Sequence, residues 1–144
     1  MLFSKGMRLL VADEARALLL ENTGSVEAPQ LRVLGERKAA PSAQFSDRPG
    51  REQAGAGGHG TAFEQGDPER VAQQRFAREI ASWFGAHSGD ARLVVAAPPR
   101  MLAALREAMP EPLASRVVAE IDKTLTGLPL PEVAKVLAMA LDPV

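Results

Sequence analysis

Cysteine is absent from this chain of 144 residues, and histidine occurs only twice, as His59 and His87. The lack of cysteine excludes disulfides, catalysis by a thiolate and metal sites that depend on cysteine. Two histidines are too few for a metal site built from a histidine cluster. Of the common kinds of metal site, the one that remains possible is a carboxylate site for Mg²⁺.

The sequence also lacks an excess of charge and a long apolar run. Its 17 basic and 18 acidic residues give a net charge of -1, so the chain as a whole lacks the excess of basic residues that is typical of nucleic-acid-binding proteins. A local basic patch is still compatible with this balance. No apolar run approaches the roughly 18 residues of a membrane helix, and residues 1–6 lack the apolar stretch of a secretory signal. We therefore expect a cytoplasmic protein with no membrane partner.

Hydrophobic patterning predicts three strands before residue 40 and alternating helices and strands after residue 66. The strands are expected over residues 7–12, 16–21, 31–37, 92–97 and 115–121. The last segment also has helical spacing, at Leu113, Val117 and Ile121. Helices are expected to begin at Pro68, after Pro98-Pro99 and at Pro131, because proline suits the first turn of a helix.

This element order, β-β-β-α-β-α-β-α, predicts an α/β fold with a single mixed sheet of about five strands. The Asp13-Glu14 linker is short enough only for an antiparallel hairpin, whereas the later strands are joined by helical crossovers and should be parallel. Strand order 3-2-1-4-5, as in ribonuclease-H-like folds, is expected. Residues 1–144 are predicted to form one domain, in which residues 41–66 are a flexible glycine-rich loop.

The helix after this loop has a clear start and an apolar face. Asp67 is predicted to cap it, with Pro68 at its first position. The predicted buried face consists of Ala72, Phe76, Ile80, Trp83 and Phe84. Because Trp83 and Phe84 continue this face, they are predicted to be core residues rather than a platform for stacking bases. His87 is expected to act as a cation at the carboxyl end of the helix.

Polar residues follow the strands that are predicted to be parallel. The carboxyl ends of such strands meet at one end of the sheet, where ligands of open α/β sheets bind. The candidate binding residues there are Asp13, Arg16, Arg100, Asp122 and Lys123. Asp13 and Asp122 could hold Mg²⁺ as ribonuclease-H-like nucleases do. The alternative, which we favour, is that Asp13 starts a turn and Asp122 caps a turn or pairs with Lys123, since two-metal sites use more carboxylates and Glu14 and Glu120 are expected to point elsewhere.

The first half of the glycine-rich segment contains a second set of candidate binding residues, Asp47, Arg48 and Arg51. Two arginines on a turn-forming backbone suit a phosphate or a carboxylate, because the guanidinium forms a fork of donors. The alternative is a solvated loop that is held by pairing between Asp47 and its neighbouring arginines.

In the second half of the segment, Gly57 and Gly58 precede His59. Such a run lets the backbone approach a phosphate or an ester closely. The alternative is a flexible connecting segment that binds nothing. The run lacks the Lys-Ser/Thr ending of a phosphate-binding loop and does not follow a strand directly, so no nucleotide cofactor is expected. Histidine is a residue type suited to general base catalysis near neutral pH, so His59 is a candidate catalytic residue, and the alternative is a solvated loop histidine.

Five blocks of the sequence together resemble a known family. They are MRLLVADEARALLLEN, DRPGR, RFAREIASWF, LVVAAPPRMLAALRE and RVVAEIDKTLT. In this order they resemble, nearly end to end, the bacterial host attachment proteins, which are named for a role in attachment to host cells. That family is in turn distantly similar to the catalytic middle domain of archaeal and eukaryotic translation release factors.

The similarity to release factors implies a function for the glycine-rich segment. In the middle domain, a Gly-Gly-Gln loop leads into a helix and enters the peptidyl-transferase centre of the ribosome. Gly57-Gly58-His59 lies at the comparable place, with Phe76-Ala77-Arg78 in the helix that follows. The resemblance implies that the glycine pair allows close backbone approach and that the third residue's backbone helps to place the attacking water. Here His59 stands where the motif has glutamine.

Three hypotheses follow for the function. The first is a release-factor-like module that binds the ribosome or tRNA through Gly57, Gly58 and His59. The second is a non-catalytic interaction module that supports host attachment and whose loop orders on a protein partner. The third, which we favour least, is a Mg²⁺-dependent nuclease that uses Asp13 and Asp122. The balanced net charge favours a protein partner over bare nucleic acid.

Overall fold

The computed structural model describes residues 3–39 and 68–141, so the predicted loop at 41–66 and the Asp67 cap lie outside the described residues. The elements of the described part are β1 (Arg8–Ala12), β2 (Arg16–Asn22), β3 (Leu31–Lys38), α1 (Pro68–His87), β4 (Leu93–Ala96), α2 (Pro99–Ala108), α3 (Glu111–Ala114), β5 (Val117–Ile121) and α4 (Leu130–Leu141).

The strands form one mixed sheet in the order β3-β2-β1-β4-β5, which confirms the predicted α/β fold and strand order. β2 is antiparallel to both β1 and β3, and β4 is parallel to both β1 and β5. We call the end of the sheet where β1, β4 and β5 finish its carboxyl end, and the opposite end its amino end.

Apolar side chains on both faces of the sheet explain why β1 and β4 read as continuous hydrophobic runs. On one face, Leu10 and Leu19 pack with residues of α1 and α2, among them Phe84 and Leu105. The residues that form the core on the other face with α4 include Phe3, Leu9, Val11, Leu20, Val94, Val133 and Leu137. The sheet is therefore a central layer with helices on each side.

Two details of the helices differ from the sequence prediction. Ala72 was expected on the buried face of α1 but is exposed, and Gln73 is buried instead. Gln73 lies three residues before Phe76 and four before Ala77, so it is on the apolar face, where its amide is hydrogen-bonded. The short helix α3 was not expected, but Pro112 occupies its first turn, where proline is tolerated.

The aromatic pair in α1 is part of the core, as predicted. Phe84 is fully buried, whereas Trp83 is half-buried and packs against the core from its margin. Trp83 covers Gly35 of β3, where an added Cβ atom would come within 3.0 Å of Cζ2 of the indole. Gly35 therefore provides the space that this side chain fills.

The carboxyl end of α1 is held at the amino end of the sheet by two arginines. Arg8, at the start of β1, donates from Nη1 to the carbonyl of His87 at 2.8 Å. Arg116, which precedes β5, donates to Ser88 Oγ at 2.9 Å and to the carbonyl of Ala91 at 3.0 Å. His87 itself is hydrogen-bonded through Nδ1 to the carbonyl oxygen of Trp83, one turn earlier in the helix, at 2.9 Å. The helix thus begins at the carboxyl end of the sheet.

Candidate functional site at the carboxyl end of the sheet

Asp13 organises the turn between β1 and β2. Its Oδ1 accepts hydrogen bonds from the backbone amides of Ala15, at 2.7 Å, and Arg16, at 2.9 Å. The Asp13 amide in turn donates to the carbonyl of Arg16 at 2.9 Å. This is the turn-forming arrangement of an aspartate side chain, and it places Asp13 in the structural role that the sequence favoured.

The same side chain reaches across the site to the loop between β5 and α4. The hydroxyl of Thr126, a buried residue, donates a hydrogen bond to Oδ2 of Asp13. Arg16 donates from Nη2 to the carbonyl of Thr126 at 2.5 Å, and its Nη1 lies 3.7 Å from Oε2 of Glu36. Asp13 and Arg16, at the β1–β2 hairpin, thus both hold Thr126 in the loop between β5 and α4.

These contacts determine the charge state of Asp13. Partial burial opposes its ionisation, but the hydrogen bonds from Thr126, Ala15 and Arg16, together with the charge of Arg16, outweigh that effect. The net result is that the pKa of Asp13 lies below its ordinary value. Asp13 is therefore a hydrogen-bonded anion at neutral pH, and both of its oxygens are occupied, so it is poorly suited to act as a base.

Glu14 of the same turn is hydrogen-bonded to α1. Its Oε2 accepts from Nε2 of Gln73 at 3.1 Å, which fixes the first turns of α1 at the carboxyl end of the sheet. Ala39, just after β3, donates its amide to the carbonyl of Ala15 at 2.8 Å. The described residues on either side of 40–67, namely Ala39 and the start of α1, therefore both lie beside the β1–β2 turn.

Arg100, Asp122 and Lys123 are exposed at this end of the sheet, as the topology predicted. Within the described ranges, the side chains of these three residues form no hydrogen bond or ion pair. Because β4 and β5 are neighbours, Arg100 in the first turn of α2 and Lys123 just after β5 provide two exposed cations near their carboxyl ends. Such cations suit an anionic ligand.

The carboxylates considered for a metal site, Asp13 and Asp122, follow two strands that are not neighbours in the sheet. β4 separates the strands that precede Asp13 and Asp122, which places those strands about 10 Å apart. Glu14 is bonded to Gln73, and Glu120 forms an ion pair with Arg106 at 2.5 Å. Across residues 3–39 and 68–141, no group of three or more acidic or histidine side chains is placed to hold a metal ion.

The remaining candidates, Asp47, Arg48, Arg51, Gly57, Gly58 and His59, all lie outside the described residues. Sequence reasoning missed Thr126 and Gln73. Gln73 could have been found, because it is at helical spacing with Phe76, Ala77 and Ile80. No sequence pattern near Thr126 identified it as a site residue, since its partner Asp13 is 113 residues away in the chain.

Comparison with protein families matches residues 7–137 to a family described as Bacterial archaeo-eukaryotic release factor family 12. Comparison with curated proteins finds no match to the chain. As for a membrane-spanning segment, none of the helices in the described ranges is both long and apolar enough to cross a bilayer.

Proposed function

This chain belongs to bacterial archaeo-eukaryotic release factor family 12, and from that membership we propose that it is a release-factor-like module that binds the ribosome or tRNA through its glycine-rich segment. The family match over residues 7–137 is the observation that carries the proposal, because it spans β1 to β5 and includes the glycine-rich segment between β3 and α1. A protein with this function would work in the cytoplasm.

The described residues support the proposal by where they place the ends of that segment. Ala39 and the start of α1 lie at the carboxyl end of the sheet, where ligands of open α/β sheets bind. Arg100 and Lys123 are exposed at the same end. An RNA phosphate bound by these two cations would therefore lie at the same end of the sheet as the points where the segment leaves and rejoins the fold.

Within the proposal, Arg48 and Arg51 contact phosphates, with Asp47 shaping their turn, and Gly57 and Gly58 allow the backbone to approach an ester bond. His59 stands where release factors have glutamine. If the module hydrolyses peptidyl-tRNA, His59 is the residue that would take a proton from the attacking water. Replacing His59 with Ala should then lower the release rate by about 100-fold or more while ribosome binding persists.

Sedimentation of the purified chain with ribosomes through a sucrose gradient tests the binding. We expect the protein to move with ribosomal particles at low salt and less so at high salt, since phosphate contacts weaken with ionic strength. Replacing both Arg48 and Arg51 with Ala should reduce this association. The control is Arg92→Ala, because Arg92 is exposed at the opposite end of the sheet. Failure to associate with ribosomes or tRNA at any salt concentration would refute the proposal.

The alternative is a non-catalytic interaction module that supports host attachment through a protein partner. The observation that favours it is the net charge of -1, which gives no general attraction to RNA. It predicts that His59→Ala leaves function intact, whereas shortening residues 47–60 abolishes capture of the partner in a pull-down. A nuclease that uses Asp13 and Asp122 is the weakest candidate, because the oxygens of Asp13 are already hydrogen-bonded.

A further inference from the structure

The last two residues of β3 are both cations. Arg37 and Lys38 are exposed, and within the described ranges neither side chain forms a hydrogen bond or an ion pair. Because β3 is antiparallel to β2, it runs in the same direction as β1, and so this pair lies at the carboxyl end of the sheet. Ala39, the last described residue before 40–67, follows directly. We call the group formed by Arg16, Arg37 and Lys38 the β3 corner.

Lys38 lies directly opposite another cation. The register between β2 and β3 pairs it with Arg16 and is regular over this stretch, because the irregularity in this ladder lies further along β2. The backbone amide and carbonyl of Arg16 bond to Asp13, on the side of β2 away from β3. Arg16 and Lys38 therefore form a pair without mutual hydrogen bonds, in which the Cα atoms are about 4.5 Å apart and the side chains lie close together on one face.

The acidic groups at this corner are engaged by Arg16. Glu36 precedes Lys38 by two residues and so lies on the same face, where its Oε2 is 3.7 Å from Nη1 of Arg16. Asp13, whose oxygens are both hydrogen-bonded, is the second acidic neighbour of Arg16. Arg37 points to the other face, because successive residues of a strand alternate. The two carboxylates thus compensate Arg16, whereas Arg37 and Lys38 have no counter-ion in the described ranges.

Protection of the sheet edge does not explain why residue 38 is a cation. β3 is an edge strand, and charged side chains on such a strand prevent it from pairing with another chain. A charge of either sign serves this purpose, but like charges directly opposite each other destabilise a sheet. The charge of Lys38 therefore costs stability in the free chain, and a bound anion would remove that cost.

We propose that the β3 corner binds the phosphate backbone of the RNA target, beside the point where the glycine-rich segment leaves the fold. This inference rests on the proposed function and adds to it a contact surface made of described residues. A chain of phosphates suits the corner because Arg37 and Lys38 point to opposite faces of an open edge, so an RNA strand that crosses the edge meets both cations in turn.

The binding test compares the double variant Arg37→Gln/Lys38→Gln with the control Arg32→Gln. Arg32 is an exposed cation of the same strand at the amino end of the sheet, where it pairs with Glu21 at 3.1 Å. Affinities for tRNA and for purified ribosomes are measured between about 50 and 200 mM salt. We expect the double variant to lose about tenfold or more at low salt, and the slope of log affinity against log salt to fall by about 0.7–0.9 for each lost contact. Arg32→Gln should bind as tightly as the natural chain.

The single variant Lys38→Gln gives a second readout that needs no RNA. Because it removes the like charge opposite Arg16, it should unfold at the same urea concentration as the natural chain or at a higher one, although it binds RNA more weakly. Arg32→Gln should show the reverse, with unchanged binding and equal or lower stability, since it breaks an ion pair. A Lys38→Gln variant that is less stable than Arg32→Gln would show that the lysine has a structural role, and would overturn the proposal.

The outcomes separate this inference from the proposed function. If the natural chain binds ribosomes or tRNA and the double variant binds them equally tightly, the β3 corner is not part of the interface and only this inference fails. If the natural chain binds neither target, both proposals fail. Binding of the natural chain to poly-glutamate as tightly as to tRNA would assign the corner to an acidic protein partner, and would also contradict the inference.

Discussion

The hydroxyl of Thr126 donates a hydrogen bond to Oδ2 of Asp13, and so joins the β1–β2 turn to the loop between β5 and α4 across 113 residues. The carbonyl of the same threonine accepts a hydrogen bond from Arg16 at 2.5 Å. Because Ala15 of this turn also holds the end of β3, three separate parts of the chain meet at one point of the carboxyl end. The contact therefore holds the β1–β2 turn, beside which the described residues on either side of 40–67 lie.

Replacing Thr126 with Val should destabilise the protein by about 1–3 kcal/mol, because a nearly isosteric side chain leaves Oδ2 of Asp13 without its buried donor. Urea unfolding measures the change. The control is Thr124→Val, at an exposed position of the same loop, which should change stability by less than about 0.5 kcal/mol. In a double-mutant cycle with Asp13→Asn, strictly additive effects would show that the two side chains do not interact.

The low pKa of Asp13 predicts a specific dependence of stability on pH. A carboxyl group with a lower pKa in the folded state stabilises the fold above its unfolded pKa, and this contribution is lost as pH falls through the folded pKa. The stability gap between the natural protein and Asp13→Asn should therefore be constant above about pH 5 and shrink below about pH 4. Urea unfolding from pH 7 to pH 2.5 measures the gap, and a gap that widens on acidification would show that the pKa is raised.

Hydrophobic patterning was sufficient to predict the sheet because β1 and β4 are buried on both faces and the Asp13-Glu14 linker allows only a hairpin. It also placed Arg100, Asp122 and Lys123 at the carboxyl end, since the ends of parallel strands must meet. It did not find the hydrogen bond from Thr126 to Asp13, because contacts between distant parts of the chain depend on packing angles that no local pattern specifies. The helical spacing of Gln73 with Phe76 and Ile80 was enough to place it on the buried face, but its partner Glu14, 59 residues away in the chain, could be found only from the fold.

Gly35 beneath Trp83 gives a third prediction. Gly35→Ala should destabilise the protein by about 1–3 kcal/mol, because its Cβ atom would lie 3.0 Å from the indole and force the ring to move. Trp83 is the only tryptophan, so a shift in its fluorescence reports the movement directly. The control is Gly127→Ala, where nothing lies within 4 Å of the added atom. Equal effects at the two glycines would show that the packing of Trp83 on Gly35 is unimportant.

A fourth prediction concerns the end of α1 at the amino end of the sheet. Arg116→Met should cost about 1–3 kcal/mol of stability, because it removes both hydrogen bonds that hold Ser88 and Ala91 while keeping the length of the side chain. Arg92→Met is the matched control, since Arg92 is exposed and should change stability by less than about 0.5 kcal/mol. Thermal unfolding separates the two, and similar melting temperatures for both variants would argue against this role of Arg116.

The central claim is that the glycine-rich segment mediates binding to the ribosome or tRNA. The most direct test is to measure the affinities of the natural chain and of a variant whose residues 47–60 are replaced by a Gly-Ser linker of equal length, for purified ribosomes and for tRNA. We predict that the natural chain binds at least one of these targets and that the variant loses at least tenfold in affinity for that target while it unfolds at the same urea concentration. Binding that is equally tight in the two proteins, or absent from both, would contradict the account.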